Sequence, residues 1–212
     1  MNLVIPLKND GNYDQLRFAL RSITAHHDIT NCILVGGKPA WYTGSHIPHR
    51  DYSPQFKEAN IRDKVLAGAA TITGEFLMAH DDHLILQPIT KVYNKGLLSD
   101  NIKRRIGNGS YTRCLRNTFE HYGDVVNTDC HCPMWMDADK VQATNFEWPE
   151  YGIGFKTCYC QENRIESEYM EDCKTNTVPS GREWFSLVDG FPLRQLVNIF
   201  PQACKFEKEY VP

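Results

Sequence analysis

Residues 76–86 read FLMAHDDHLIL, so two adjacent aspartates, Asp81 and Asp82, stand between His80 and His83 with apolar runs closing in on either side. A carboxylate stranded in a dry interior costs about 3–5 kcal/mol, so this pair requires donors, a cation or a metal. Oxygen and imidazole ligands suit Mn²⁺ or Mg²⁺ carrying a nucleoside diphosphate, where the ion bridges phosphate oxygens and neutralises charge growing on a leaving group. Neighbouring side chains of an extended strand point to opposite faces. Asp82 therefore shares a side with His80, and Asp81 with His83, unless the chain turns between them. Two plainer readings use the same atoms: carboxylates that cap a neighbouring helix, or carboxylates paired with Arg62 or Lys64.

The elements that must position these residues are readable upstream. LVIPL (3–7) and CILVG (32–36) have the apolar runs of buried strands, and HIPHR (46–50) reads as loop. Leu16, Leu20 and Ile23 within 13–26, and Ile61, Val65 and Ala69 within 57–72, recur at helical spacing. Each helix thus has one face to lay on a sheet. Alternating strands and helices predict an α/β fold with a Rossmann-type, mainly parallel sheet flanked by helices. The strand 76–86 would carry Asp81 and Asp82 to the carboxyl edge of that sheet, where ligands collect in such folds. Beyond residue 90 the pattern is irregular, with one helix expected within 108–123 and no internal repeat or linker, so 1–212 reads as a single domain. Neither G-x-G-x-x-G nor the Walker loop occurs, and VGG (35–37) is only a turn.

Composition narrows the classes. The 212 residues are 42% hydrophobic, enough for one sizeable core. No apolar run approaches the roughly 20 residues of a bilayer-spanning helix, and Met1 leads straight into LVIPL, so a cytoplasmic protein of a bacterial cell or phage-infected host is expected. The eight cysteines are irregularly spaced and read as reduced thiols. A zinc site built from CHC (130–132) and CYC (158–160) is the alternative, at a spacing weaker than C-x₂₋₄-C. Residues 1–118 hold 15 Lys/Arg against 10 Asp/Glu, a surplus of +5, whereas 119–212 hold 8 against 16. An anionic ligand would favour the first half.

The segments FKEANIRDKVLAGA (56–69) and FLMAHDDHLIL, together with LRFALRSI (16–23), ILVGGKPAW (33–41), HCPMWMDADKV (131–141) and FPQACKFE (200–207), resemble, in this order, GT-A glycosyltransferases and especially the bacterial and phage Stealth-like sugar-phosphate transferases. The resemblance implies a GT-A-like domain with a nucleotide-sugar-binding half (1–90) and an acceptor half (91–212). It implies a nucleoside diphosphate sugar, a UDP-sugar above all, as donor. Asp82 would be the metal ligand, with His80 and His83 beside it, and Asp81 would touch ribose, metal or acceptor. His80 departs from the Asn these relatives carry there. Pro6 and Leu7 would meet the base, Asn60 a uracil or ribose edge, and Lys64 a phosphate. His131 would belong to the active site, with Asp129 orienting it or acting as the base. Arg182 would meet the diphosphate, its alternative being a surface arginine over Trp184.

The expected reaction is sugar transfer to a hydroxyl, on a saccharide or on a hydroxymethylated base in phage DNA. For DNA, Lys103, Arg104, Arg105, Arg113 and Arg116 would contact phosphates and Tyr111 would stack on a base. Sugar-phosphate transfer of the Stealth type, a zinc-containing nucleic-acid-binding module and a metal-dependent phosphoesterase are the rival readings.

Overall fold

The computed structural model describes residues 1–52, 56–144 and 151–211. Its centre is a five-stranded sheet built from β1 (Asn2–Leu7), β2 (Asn31–Gly36), β3 (Ser45–Ile47), β4 (Glu75–Met78) and β7 (Met134–Asp137), in the order β3-β2-β1-β4-β7. The first four run parallel, and β7 returns antiparallel beside β4. HIPHR is thus partly strand, because His46 and Ile47 pair with Leu34 and Val35 at the sheet edge.

Alternation along β1 divides the core. Leu3, Ile5 and Leu7 face α1 (Asp14–His26), where Leu16, Leu20 and Ile23 cover them. Val4 faces the other way, against Val65 and Ala69 of α2 (Lys57–Ala69). That second face also receives Val141 of α5 (Ala138–Ala143) and Phe155 and Tyr159 of α6 (Phe155–Asn163). The fold is α/β and Rossmann-like, a mostly parallel sheet with helices on both faces, as the periodicity predicts.

The run 76–86 is two strands, not one. β4 stays in the central sheet; the chain then turns at Ala79–Asp82, and β5 (His83–Ile85) joins a separate sheet between α1 and β10 (Trp184–Leu187). Both apolar halves are buried, Leu77 and Ile85 even in the same cluster, and this gave the sequence its look of a single strand. The remaining elements are short: β6 (Tyr93–Asn94), α3 (Leu98–Lys103), β8 (Glu168–Tyr169), β9 (Lys174–Thr175) and α7 (Arg194–Val197), with α4 (Ser110–Tyr122) the one long helix of this half. Among the described residues no helix is long and apolar enough to cross a membrane.

Candidate functional site

The strand order places a crossover reversal beside β1: the chain leaves β1 for β2 on one side and returns to β4 on the other. Loops diverge at such a point and leave a crevice at the strands' carboxyl ends. A cavity of about 580 Å³ opens there. Pro6 and Leu7 line it from the end of β1, His80 and Asp81 from the turn after β4, and Asn60 and Lys64 from α2. Six candidates named from sequence thus share one cavity.

Within it the roles separate. Lys64 is 3% exposed, and its ammonium donates to the Leu7 carbonyl at 2.7 Å and to Asp51 Oδ1 at 2.6 Å. A lysine so engaged ties the end of β1 to the 50–51 segment and is not available to phosphate. Gly36 permits this approach: at φ +112° a Cβ there would lie 2.1 Å from the Leu7 oxygen and 2.8 Å from Lys64 Nζ. Asn60 Oδ1 accepts from the Tyr52 N–H at 2.9 Å. The exposed cations of the cavity are Lys8, Arg50 and Lys57, which sequence reasoning passed over. Their clustering shows only when the ends of β1 and β3 and the start of α2 are brought together.

The two aspartates differ in their partners. Asp82 Oδ2 accepts from the Ser186 hydroxyl at 2.7 Å and from Lys174 Nζ at 3.3 Å, so its charge is spent holding the small sheet against the turn. Burial alone would raise it, but neighbouring His80, the Ser186 bond and Lys174 bring it below the usual carboxylate range. Asp81 lines the cavity, and no side chain among the described residues hydrogen-bonds it or forms an ion pair with it. Burial and the charge of Asp82 push it up to about 6. Neither Arg62 nor Lys64 is the partner of either aspartate: Arg62 pairs with Asp63 at 2.6 Å and Lys64 with Asp51.

His83 is 1% exposed; its Nδ1 accepts from the His80 N–H at 3.2 Å, and its Nε2 lies 3.7 Å from Asp82. It braces the turn from inside and does not reach the cavity, contrary to the expectation of a metal ligand. His80 faces the cavity, its imidazole pushed down to about 3 by burial and by Lys156, against the pull of Asp82. A neutral imidazole is the form that ligates a metal.

His131 stands close enough to His80 and Asp82 that a charge on its ring shifts both. Its orienting acid is Asp172. Asp172 Oδ1 accepts the His131 backbone N–H at 2.7 Å and Oδ2 meets ring Nδ1 at 2.9 Å, while Lys95 Nζ donates to Oδ2 at 3.0 Å. Burial opposes ionisation, but the His131 hydrogen bonds and the Lys95 charge outweigh it and hold Asp172 well below the carboxylate range. An ionised carboxylate only accepts, so Nδ1 carries a proton, and in the neutral ring the lone pair is then on Nε2. The imidazole is 38% exposed and can present that lone pair outward.

Asp129, expected to do this orienting, caps α6 instead. Its oxygens accept from Lys156 N at 3.0 Å, Thr157 N at 3.4 Å and Thr157 Oγ1 at 2.6 Å, which is what an acid at a helix N-terminus does. Gly154 leaves it room, since a Cβ there would lie 2.0 Å from Asp129 Oδ2. Lys156, the second residue of α6, is 4% exposed and donates to the carbonyls of Cys130 and Cys132 at 2.8 and 2.7 Å, bracketing His131 from beneath. Glu58, half-buried in the same cluster, is pushed up to about 8 by burial and by Asp129.

A second cavity, of about 550 Å³, is lined by Asp172, Lys95, Arg104, Arg105, Thr112 and Tyr169 among others. Arg182 lines neither cavity; it lies over Glu171, with N···O distances of 3.5 Å to the carbonyl and 3.9 Å to the carboxylate. Tyr111 does not offer a stacking face: the Arg105 guanidinium covers its ring at 4.2 Å and its hydroxyl is buried. Lys103 pairs with Asp100, Arg113 lies over Tyr151, and Arg116 bonds Asn108. Among the described residues no three His, Cys, Asp or Glu side chains converge as a metal-holding group. Cys130 and Cys132 belong to one face of the sheet and Cys160 to the other, which separates the two C-x-C pairs of the zinc reading.

No family model matches the chain, and no curated protein does. Solved structures do, among them 4-diphosphocytidyl-2C-methyl-D-erythritol synthase, at 10% identity over 92% of this chain and 98% of that chain with a TM-score of 0.45. A likeness of that size carries no argument about this chain's chemistry.

Proposed function

We propose that this protein is a glycosyltransferase of GT-A-like architecture, moving a sugar from a nucleoside diphosphate sugar to a hydroxyl. The observation that carries the reading is Asp81, a carboxylate without a partner side chain among the described residues, set in the cavity at the crossover reversal of a parallel sheet. A binding site for a divalent ion shared with substrate phosphates needs only one or two protein carboxylates, the remaining ligands being phosphate oxygens and water. Asp81 with the neutral His80 fits that requirement, and Asp82, already bonded to Ser186 and Lys174, does not. Mn²⁺ or Mg²⁺ held there would supply charge neutralisation for the departing diphosphate.

The chain's own residues account for the rest. Backbone groups of Pro6 and Leu7 and the side chain of Asn60 meet the nucleoside, a uridine in the preferred donor. Arg50, Lys57 and Lys8 meet the diphosphate from the open side. Asp172 fixes the tautomer and direction of His131, whose Nε2 takes the acceptor hydroxyl proton as the new C–O bond forms and the sugar–phosphate bond breaks. The two electrons of the broken bond leave with the nucleoside diphosphate.

The test is thermal unfolding and product analysis across nucleotide sugars, with and without Mn²⁺. A ligand bound by the native state alone stabilises it by RT ln(1 + [L]/Kd), about 2.7 kcal/mol at a hundredfold excess over Kd. One UDP-sugar should raise the midpoint only with Mn²⁺, and transfer should release UDP; release of UMP would assign sugar-phosphate transfer instead. No stabilisation by any nucleotide sugar would overturn the reading.

A further inference from the structure

The second cavity contains more positive charge than its own acids consume. Lys95 and Asp172 answer one another at 3.0 Å, and Glu171 is met by Arg182 at 3.9 Å. Arg104 and Arg105 remain, exposed and with no carboxylate within 4.0 Å among the described residues. Arg105 is held in place by its position 4.2 Å over the Tyr111 ring. Thr112, 4% exposed, also lines this cavity, and its hydroxyl has no hydrogen-bond partner among the described residues. It belongs to the first turn of the 13-residue helix α4, whose Gly109 N-cap offers no side-chain cap, so the unpaired N–H groups and positive end of that helix add to the same field. At the other side of the cavity stands Asp172, bonded to His131.

We propose that this cavity is the acceptor subsite and that it takes a saccharide bearing a phosphate monoester, the phosphate held by Arg104, Arg105 and Thr112 and a hydroxyl turned toward His131. The word acceptor rests on the transferase reading above; the anion site does not. Paired N–H donors of arginine match phosphate oxygens, and an unpartnered helix N-terminus favours the same charge. Tyr169, 67% exposed on the cavity wall, gives the apolar face of a sugar ring a surface to lie on. The volume, about 550 Å³, is that of a small-molecule site. A nucleic acid is disfavoured by the same details. Lys103, Arg113 and Arg116 are engaged elsewhere, the Tyr111 face is covered, and two arginines neutralise too few phosphates for a duplex.

The experiment is calorimetric titration of the whole protein, without nucleotide sugar, by inorganic phosphate, a hexose 6-phosphate, the parent hexose and a short duplex DNA. The hexose phosphate should bind at least about tenfold tighter than the hexose, and inorganic phosphate should compete with it. The double variant Arg104→Gln/Arg105→Gln should lose at least about tenfold for both phosphate probes, because it removes the charge-assisted hydrogen bonds. Both side chains are exposed, so the variant's unfolding midpoint should stay within a few degrees. Equal binding of hexose and hexose phosphate, or unchanged affinity in the double variant, would overturn the proposal. So would duplex DNA binding more tightly than hexose phosphate through the same arginines. Phosphate binding that depends on Arg104 and Arg105, in a protein that binds no nucleotide sugar, would support the anion site and overturn only the transferase reading.

Discussion

Replacing Asp172 by Asn changes one atom and removes the charge on which three hydrogen bonds depend. The carboxylate accepts from His131 N at 2.7 Å, from His131 Nδ1 at 2.9 Å and from Lys95 Nζ at 3.0 Å. Bonds to charged groups contribute about 1.5–3 kcal/mol each. An asparagine oxygen can keep the backbone bond at reduced strength, but its NH₂ then faces either the imidazole N–H or the lysine ammonium, donor against donor. Lys95, 9% exposed, retains the Asp129 carbonyl at 2.6 Å, which limits the damage. The expected loss is about 2–4 kcal/mol, or roughly 4–16 °C in Tm at this chain length. The pH dependence follows from the depressed carboxyl. Its contribution is complete above the unfolded carboxylate value near 4 and is lost as pH falls toward the folded value, so wild type and variant should differ most at pH 6–8 and converge in acid. In a transfer assay, kcat should fall by between about 10-fold and 10⁴-fold with donor Kd unchanged, because Asp172 acts through the orientation of His131. An undiminished kcat, or a Tm difference that does not shrink as pH falls below about 4, would refute the assignment.

Asp129→Ala should cost about 1–2 kcal/mol by uncapping α6, measured by denaturant titration, and lower kcat far less than Asp172→Asn does. Glu207, its side chain fully buried, accepts from Arg21 at 2.7 and 2.8 Å and from Arg17 at 2.7 Å. Glu207→Gln should therefore destabilise by about 3–5 kcal/mol at neutral pH. Burial raises the Glu207 carboxyl, but the arginines outweigh it and leave it depressed, so this loss too should shrink as pH falls below about 4.

How much of this was legible depended on whether the signal was local. The helices over 13–26 and 57–72 and the strands over 3–7 and 32–36 announce themselves by period, and the structure has them within a few residues. The family resemblance singles out Asn60 and Lys64, and both line the cavity at the ends of β1 and β4. The turn inside FLMAHDDHLIL was not readable, because Met78 and Leu84 are both buried and only the partner strands, β1 and β10, reveal that they lie in different sheets. Asp172 is 41 residues from His131, in a stretch without period, and nothing nearby marks it as a partner. Lys156 did leave a sign: a lysine inside IGFKTCYC is as anomalous as the aspartates that drew attention first, and it proves to be buried against two carbonyls beside His131. Assigning the metal to Asp82 and not Asp81 rested on resemblance, and sequence could not show that Ser186 and Lys174 would come to Asp82 from more than 90 residues away.

The central claim is that Asp81, unpartnered in the cavity beside β1 and β4, holds the ion that carries the donor. The decisive measurement is calorimetric titration of a UDP-sugar with and without Mn²⁺, on wild type, Asp81→Asn and Asp82→Asn. The account predicts that binding requires Mn²⁺ in the wild type and disappears in Asp81→Asn with the fold intact. Asp82→Asn should lower Tm by loosening Ser186 and Lys174 yet still bind donor. Mn²⁺-dependent binding that survives Asp81→Asn at wild-type affinity would contradict it.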